Sequence, residues 1–314
     1  MSIKNLPTRC IRTFDSHEGP VHIALYNSSG EYLLSGGQDK KVCLWNPETG
    51  LRIKTYTGHG KEVLDISVTI DHTRFVSCGG DRQVYYWDVA TGRTIRRFEG
   101  HNQRVNTVDF NMEGTVIASG TYLGNNGSYD TTIRLWDCRS QSRIPIQILE
   151  EAKDSITSLQ ISQYEIVSGC TDGNIRTHDI RMGTLLTDLI SYPVTSVTVS
   201  NDFNCILTSS LDSVIRLMDR ENGGMLNSFK GHNNSSYKIH SCLSRDDAYV
   251  ISGSENGAIY IWDLLEGKVL TTISNAHSGV VTCVKYHPRI DAMVSTSIDG
   301  VIKLWKPAND EVSQ

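Results

Sequence analysis

Apolar and polar residues alternate over short runs along almost the whole chain. VLDISV (63–68), VNTVDFN (105–111) and ITSLQIS (156–162) repeat apolar residues every second position, the period of a strand with one face turned to a core. Clusters of Gly, Asn and Asp break these runs at short intervals. No segment keeps a helical period for more than a couple of turns, so the pattern predicts an all-β chain.

A longer period lies above the short one. In TGHGKEVLDISVTIDHTRFVSCGGDRQVYYWDVATG a Gly-His pair leads, an alternating run follows, then Ser-x-x-x-Asp, and a Trp-Asp closes the unit. Aligned on that Trp, residues Trp45, Trp87, Trp136, His178, Met218, Trp262 and Trp305 are equivalent, at intervals of about 40 to 44 residues with one exception. That spacing is one propeller blade of four strands per unit, and seven units are present. The Gly-His and Trp-Asp pairs, so spaced, resemble the WD-repeat family. The resemblance implies a seven-bladed β-propeller with the N-terminal strand closing the last blade.

That closure has its own sequence sign. CIRTF (10–14) matches the outer-strand runs RIKTY (52–56) and TIRRF (94–98), whereas nothing comparable follows Trp305. Joining the two termini removes an open sheet edge that would invite aggregation. The expected organisation is a loose arm over 1–7, one propeller over 8–306 and a tail over 307–314.

Four units carry a complete polar set: His17, Ser35, Asp39 and Trp45; His59, Ser77, Asp81 and Trp87; His101, Ser119, Asp130 and Trp136; His277, Ser295, Asp299 and Trp305. Ser, His and Asp together suggest a hydrolase triad, but a motif repeated four times argues architecture. The family resemblance assigns each set to a structural hydrogen-bonded tetrad, which would satisfy a buried indole, hydroxyl and imidazole at once. No Gly-x-Ser-x-Gly elbow, phosphate loop, His-Glu-x-x-His or calcium loop occurs, so no enzyme, metal or cofactor is expected.

Units four to six depart from the pattern. Ala152 and His178 replace His and Trp in the fourth, with Ser168 and Asp172 kept; Ile190 and Met218 do so in the fifth, with Thr208 and Asp212 kept. These two blades are expected to hold by apolar packing instead of a polar chain. The sixth keeps His232, Ser252 and Trp262 but has Asn256 for Asp. The third has seven extra residues, the insert at 122–128, whose Gly, Asn and Ser content predicts a mobile surface loop.

Composition narrows the function classes. A net charge of -5 lacks the basic excess of a dedicated nucleic-acid binder, so direct nucleic-acid contact is not expected. The first ten residues have no apolar signal core and no run reaches bilayer length, which predicts a soluble intracellular chain without membrane insertion. Eight cysteines, about one per unit and never as Cys-x-x-Cys, read as small buried strand residues. The Asn-x-Ser matches at Asn27, Asn126, Asn233 and Asn234 read as accidental on such a chain.

Candidate partner-binding residues fall on the rim of the channel, where residues before inner strands and before the turn Asp point outward. These are Glu62, Arg104, Tyr129, Leu211 and Tyr237, with Ser155 and Ile298 at equivalent places; mixed Arg, Tyr and Leu suit a protein-binding hot spot. Basic residues on early outer strands (Arg9, Arg12, Arg52, Lys54, Arg93, Arg96, Arg97) are expected to discourage edge pairing, or to meet an acidic partner. Arg139 completes Trp136-Asp137-Cys138-Arg139, which resembles the motif by which some WD-repeat proteins dock on the adaptor of cullin-4 ubiquitin ligases.

The runs GHGKEVLD, LWDCRS, SGCTDG, HDIRMG and SYKIHSCLS resemble a scaffold branch of the WD-repeat family that organises kinase cascades. That resemblance implies a monomeric, non-enzymatic scaffold of the cytoplasm and nucleus. Its implied partners are kinase-cascade components, a prolyl hydroxylase of the hypoxia response, and spliceosome components. A ubiquitin-ligase substrate receptor and an RNA-binding spliceosomal component are the alternative readings.

Overall fold

A computed structural model describes residues 6–15, 17–122 and 130–308. The described residues form seven four-stranded antiparallel sheets and no helix. In the first blade the strands run from the channel outward as Val21–Tyr26, Leu33–Gly37, Lys41–Trp45 and Arg52–Thr57. In the last blade the inner three are Val281–Tyr286, Met293–Ser297 and Val301–Lys306, and the fourth comes from the other end of the chain. Arg9–Asp15 pairs antiparallel with Val301–Lys306, with Arg9 opposite Lys306 and Asp15 opposite Val301.

The apolar side chains gather into seven clusters, one at each junction between neighbouring blades. A strand in such a sheet is covered on both faces, so the middle strands read as continuous buried runs, as in Leu33–Gly37 and Met293–Ser297. Blades meet closely because small residues face the neighbour. A Cβ on Gly120 would lie 2.5 Å from Ile156 Cγ2, and one on Gly169 would lie 2.6 Å from Val194 Cγ1.

The inner strands of six blades share a bulge beside their first residue, as at Val21/Ile23, Val105/Thr107 and Val281/Cys283. Inner strands of neighbouring blades are not paired by a regular ladder, so their channel-side backbone groups need other partners. Side chains of the preceding blade supply them. Asn106 Nδ2 donates to Ile156 O at 2.9 Å, Thr157 Oγ1 to Val194 O at 2.7 Å and Thr282 Oγ1 to Val21 O at 2.7 Å. One layer away, the Asp65 and Asp109 carboxylates accept from Val108 N (3.2 Å) and Ile161 N (2.9 Å).

Two expectations need correction. Leu6 and Pro7 are buried, and Leu6 packs into the cluster between blades six and seven with Ile259, Met293 and Trp305, so the end of the arm is docked by apolar burial. Cys10 is exposed on the solvent side of the outermost strand, while six other cysteines are buried and Cys205 is half-buried. Residues 123–129, which hold Tyr129 and all of the 122–128 insert except Tyr122, lie outside the described residues.

Phe14 anchors the closing strand, fully packed edge-on to Trp45 with ring centroids 5.6 Å apart. Phe14→Ala is expected to lower unfolding free energy by about 3–5 kcal/mol in urea denaturation. Ile95→Ala, on the exposed outer strand of blade two, should cost below about 1 kcal/mol.

Candidate partner-binding surface

The residues that look catalytic are joined in four interior chains. In blade two, Trp87 Nε1 donates to Ser77 Oγ at 2.8 Å, Ser77 Oγ donates to His59 Nε2 at 2.7 Å, and His59 Nδ1 donates to Asp81 Oδ2 at 2.9 Å. Asp81 also accepts from Gly60 N at 2.8 Å, tying the loop between blades to the turn below it. The same chain links Trp45, Ser35, His17 and Asp39 (2.9, 2.8 and 2.8 Å). It recurs through Trp136, Ser119, His101 and Asp130 (2.8, 2.7 and 3.4 Å) and through Trp305, Ser295, His277 and Asp299 (2.8, 2.7 and 3.2 Å). Each serine is fully buried with its hydroxyl held by both Trp and His, so none is open to a substrate.

Burial by itself would raise the carboxyls of Asp39, Asp81 and Asp299; the histidine partners and backbone amides hold them below the usual range. Burial lowers His101, and takes His277 down to about 4. The His101 and His277 imidazoles are therefore neutral near pH 7, with the tautomer set by the carboxylate at Nδ1.

Blades four and five have a different polar device, not apolar packing alone. The freed turn Asp takes an Arg four residues on: Asp172 Oδ2 lies 2.6 Å from Arg176 Nη2, and Asp212 Oδ2 lies 2.5 Å from Arg216 Nη2. Without a His to occupy it, a half-buried carboxylate needs a charged donor, and the third strand places one within reach. Blade three carries both, since Arg134 Nη2 is 3.6 Å from Asp130 while His101 holds the other oxygen. The Asp-x-x-x-Arg spacing in TDGNIR and LDSVIR was the available sequence sign.

Blade six keeps three of the four residues and loses the chain. Asn256 Oδ1 still accepts from the turn amide, here Ala258 N at 3.1 Å, but its other atom is an amide donor that cannot accept from His232 Nδ1. Both His232 nitrogens are buried without a hydrogen-bond partner among the described residues, Trp262 Nε1 donates to Lys230 O at 2.9 Å, and Ser252 Oγ donates to Gly253 O. Burial takes the His232 imidazole down to about 4.

On the channel mouth, a backbone bond marks equivalent places in successive blades: Gly80 N to Glu62 O, Tyr122 N to Arg104 O, Thr171 N to Ser155 O, Leu211 N to Pro193 O and Ile298 N to Val280 O. Arg104 is exposed and lies over the Tyr122 ring at 4.0 Å; Glu62, Leu211 and Ile298 are half-buried. Ser155 is buried, so it offers no contact. In blade six Glu255 N takes this bond to Asn233 O, which displaces Tyr237 from the aligned place. Tyr237 is exposed further along a loop whose amides at 235–237 all donate to Glu255 Oε1. Next to it, Lys238 spans the channel and donates from Nζ to Asn106 O at 3.0 Å.

Comparison with known proteins agrees with this architecture. Residues 49–243 match the family model of the nucleolar protein 10-like N-terminal β-propeller domain, and residues 8–46 and 267–306 match the WD domain, G-beta repeat. The chain is 43% identical to human WD repeat domain-containing protein 83 over 96% of this chain and 93% of that one. It is 36% identical to the WD repeat domain-containing protein 83 homolog of Dictyostelium discoideum over 94% and 97%. The zebrafish relative of that name is 42% identical over 98% and 95%. The chain belongs to the WD repeat domain-containing protein 83 family.

In this member of the WD repeat domain-containing protein 83 family three of the outer-strand cations, Arg12, Lys54 and Arg96, are spent on the neighbouring blade. Arg12 Nη1 and Nη2 donate to Thr49 O (2.9 Å) and Glu48 O (2.7 Å), Lys54 Nζ to Val89 O and Ala90 O, and Arg96 Nη1 to Asp137 O (3.2 Å) and Cys138 O (3.4 Å). Each clamps the exit turn of the next blade, whose carbonyls have no strand to pair with. Arg139 is free of this duty: its backbone amide donates to Asp137 Oδ1 at 2.8 Å, while the side chain is 73% exposed.

Asn256→Asp is expected to restore an acceptor for His232 and raise unfolding free energy by about 1 kcal/mol, read as an upward shift of the denaturation midpoint. The buried histidines also set a pH dependence. Below the ordinary value of 6.5 the unfolded chain takes protons that His232 and His277 refuse until about 4, so stability is full above pH 6.5 and falls as pH drops toward 4. Asp109, raised by burial to about 6, works the other way and offsets one histidine over pH 4 to 6. Melting temperatures at pH 7 and 5 should differ less in His232→Phe than in the wild type.

Proposed function

We propose that the protein is a scaffold that assembles multiprotein complexes, taking up partners at the channel mouth through Arg104, Tyr237, Glu62 and Leu211. The observation that carries this reading is the division of polar residues. The Ser, His and Asp of the repeats are consumed in interior chains, whereas an exposed Arg104 on the half-buried Tyr122 and an exposed Tyr237 stand at the mouth. By the sequence resemblance the partners are kinase-cascade or pre-mRNA splicing components. The protein acts as a monomer in the cytoplasm and nucleus.

A second reading, a substrate receptor of a cullin-4 type ubiquitin ligase, is favoured by Arg139, whose side chain is 73% exposed on a fixed turn, with Nε 3.5 Å from Asp137 Oδ1.

Affinity capture of the tagged full chain with quantitative mass spectrometry tests both. Kinase-cascade or splicing proteins should be enriched with the wild type and reduced by about tenfold or more with Arg104→Ala plus Tyr237→Ala. Arg139→Ala should leave that set unchanged; selective loss of a ubiquitin-ligase adaptor would favour the second reading. A wild-type capture containing neither class of complex would end the scaffold assignment.

A further inference from the structure

The seam where the ring closes opens into a cleft of about 1130 Å³ between blades seven and one. It is walled by the closing strand, by the turns at 29–32 and 46–48, by the turn at 287–292 and by the end of the last strand at Lys306 and Pro307. Its cations are Arg9, Arg12, Arg289 and Lys306, against two carboxylates, Glu31 and Glu48. On a chain with 35 acidic and 30 basic residues this is a local inversion of charge. Arg12 is engaged with the exit turn, but Arg9, Arg289 and Lys306 have no ion-pair partner among the described residues. Elsewhere on this protein the outer-strand cations Lys54 and Arg96 are spent on carbonyls of the next blade.

Two further observations point to a ligand. Tyr26 lines the cleft and is 8% exposed, yet its hydroxyl has no partner among the described residues; burial raises the phenol far above its ordinary value, so it remains a neutral donor. Arg12 Nε, in the same lining, is also buried and unpartnered. An unpaired buried donor is costly, and two in one cleft are met economically by an acceptor from outside. The lining also exposes Ile11, Tyr32 and Ile290, each between 41% and 45% accessible. Cations interleaved with apolar side chains fit a polypeptide carrying both carboxylates and hydrophobic residues. The Glu31 and Glu48 carboxylates disfavour a continuous phosphate backbone.

We propose that this seam cleft is a second docking site, separate from the channel mouth, for an acidic segment of a partner protein with interspersed apolar residues. Carboxylates meet Arg9, Arg289 and Lys306, apolar side chains rest on Ile11, Tyr32 and Ile290, and a peptide oxygen accepts from the Tyr26 hydroxyl. The site lies at the one junction made by both chain ends, so occupancy couples to ring closure: a segment bridging Arg9 and Lys306 holds the closing strand to its neighbour.

The proposal rests on the scaffold reading, and a direct titration separates the two. A fluorescein-labelled octapeptide of alternating Glu and Leu is titrated into the full chain and followed by anisotropy, with the same peptide built from Lys and Leu as the control. Saturable binding of the acidic peptide, weakened about tenfold or more by Arg289→Glu plus Lys306→Glu and by raised salt, is the expected result. Arg104→Ala plus Tyr237→Ala should leave it unchanged. Tyr26→Phe, which removes only the hydroxyl, should weaken binding a few-fold while circular dichroism stays that of the wild type. Equal binding by wild type and the Arg289/Lys306 variant would overturn the proposal, as would equal binding of the basic peptide. So would a dimer in sedimentation that the same double substitution dissolves, or tighter competition by a single-stranded RNA oligonucleotide. Loss of captured complexes with the channel-mouth variant bears only on the scaffold reading.

Discussion

Every blade here is a sheet with two apolar faces, and that constraint organises the molecule. A sheet apolar on both sides cannot stand at the end of a stack, because one face would remain in water at about 25 cal/mol per Å². Bending the stack until the last sheet meets the first removes the exposed face altogether. The seven clusters between neighbouring blades, each drawing residues from both partners, are that solution, and the cluster joining Phe14 and Ile302 to Val21 and Trp45 is where it is completed. Closing the last sheet with a strand from the opposite terminus locks the ring by hydrogen bonds as well as by packing.

Ring geometry leaves two sets of backbone groups without ladder partners, and polar side chains are spent on them. On the channel side, Asn106, Thr157 and Thr282 reach across to the next inner strand. On the outside, Arg12, Lys54 and Arg96 reach across to the next exit turn. Within a blade, the Trp-Ser-His-Asp chain ties the third strand to the loop that arrives from the previous blade. The channel-side and outer bonds run between repeats, so each unit is completed by its neighbours.

The same accounting separates surface that is used from surface that is available. Arg12 and Arg96 would count as exposed positive charge on composition alone, yet both are structural clamps. Arg104, Arg139 and the seam residues Arg9 and Lys306 carry no such clamp, and they mark three separate regions: the channel mouth, a turn at the end of blade three and the junction of the chain ends. A small propeller with several independent faces suits the simultaneous holding of more than one partner.

The sequence by itself determined the blade count, the four complete polar chains and the use of both termini in one sheet, because each depends on residues at fixed spacing within one repeat. His59, Ser77, Asp81 and Trp87 recur in register with their counterparts, and strand periodicity brings equal spacing to equal places. Contacts made between repeats have no such signal. That Lys238 crosses to Asn106, that Asn106 reaches Ile156, and that outer cations hold the next turn were decided by distances in three dimensions. A hydrogen bond forms where a donor and an acceptor come within about 3 Å, and between residues 132 positions apart only the closed ring brings them there.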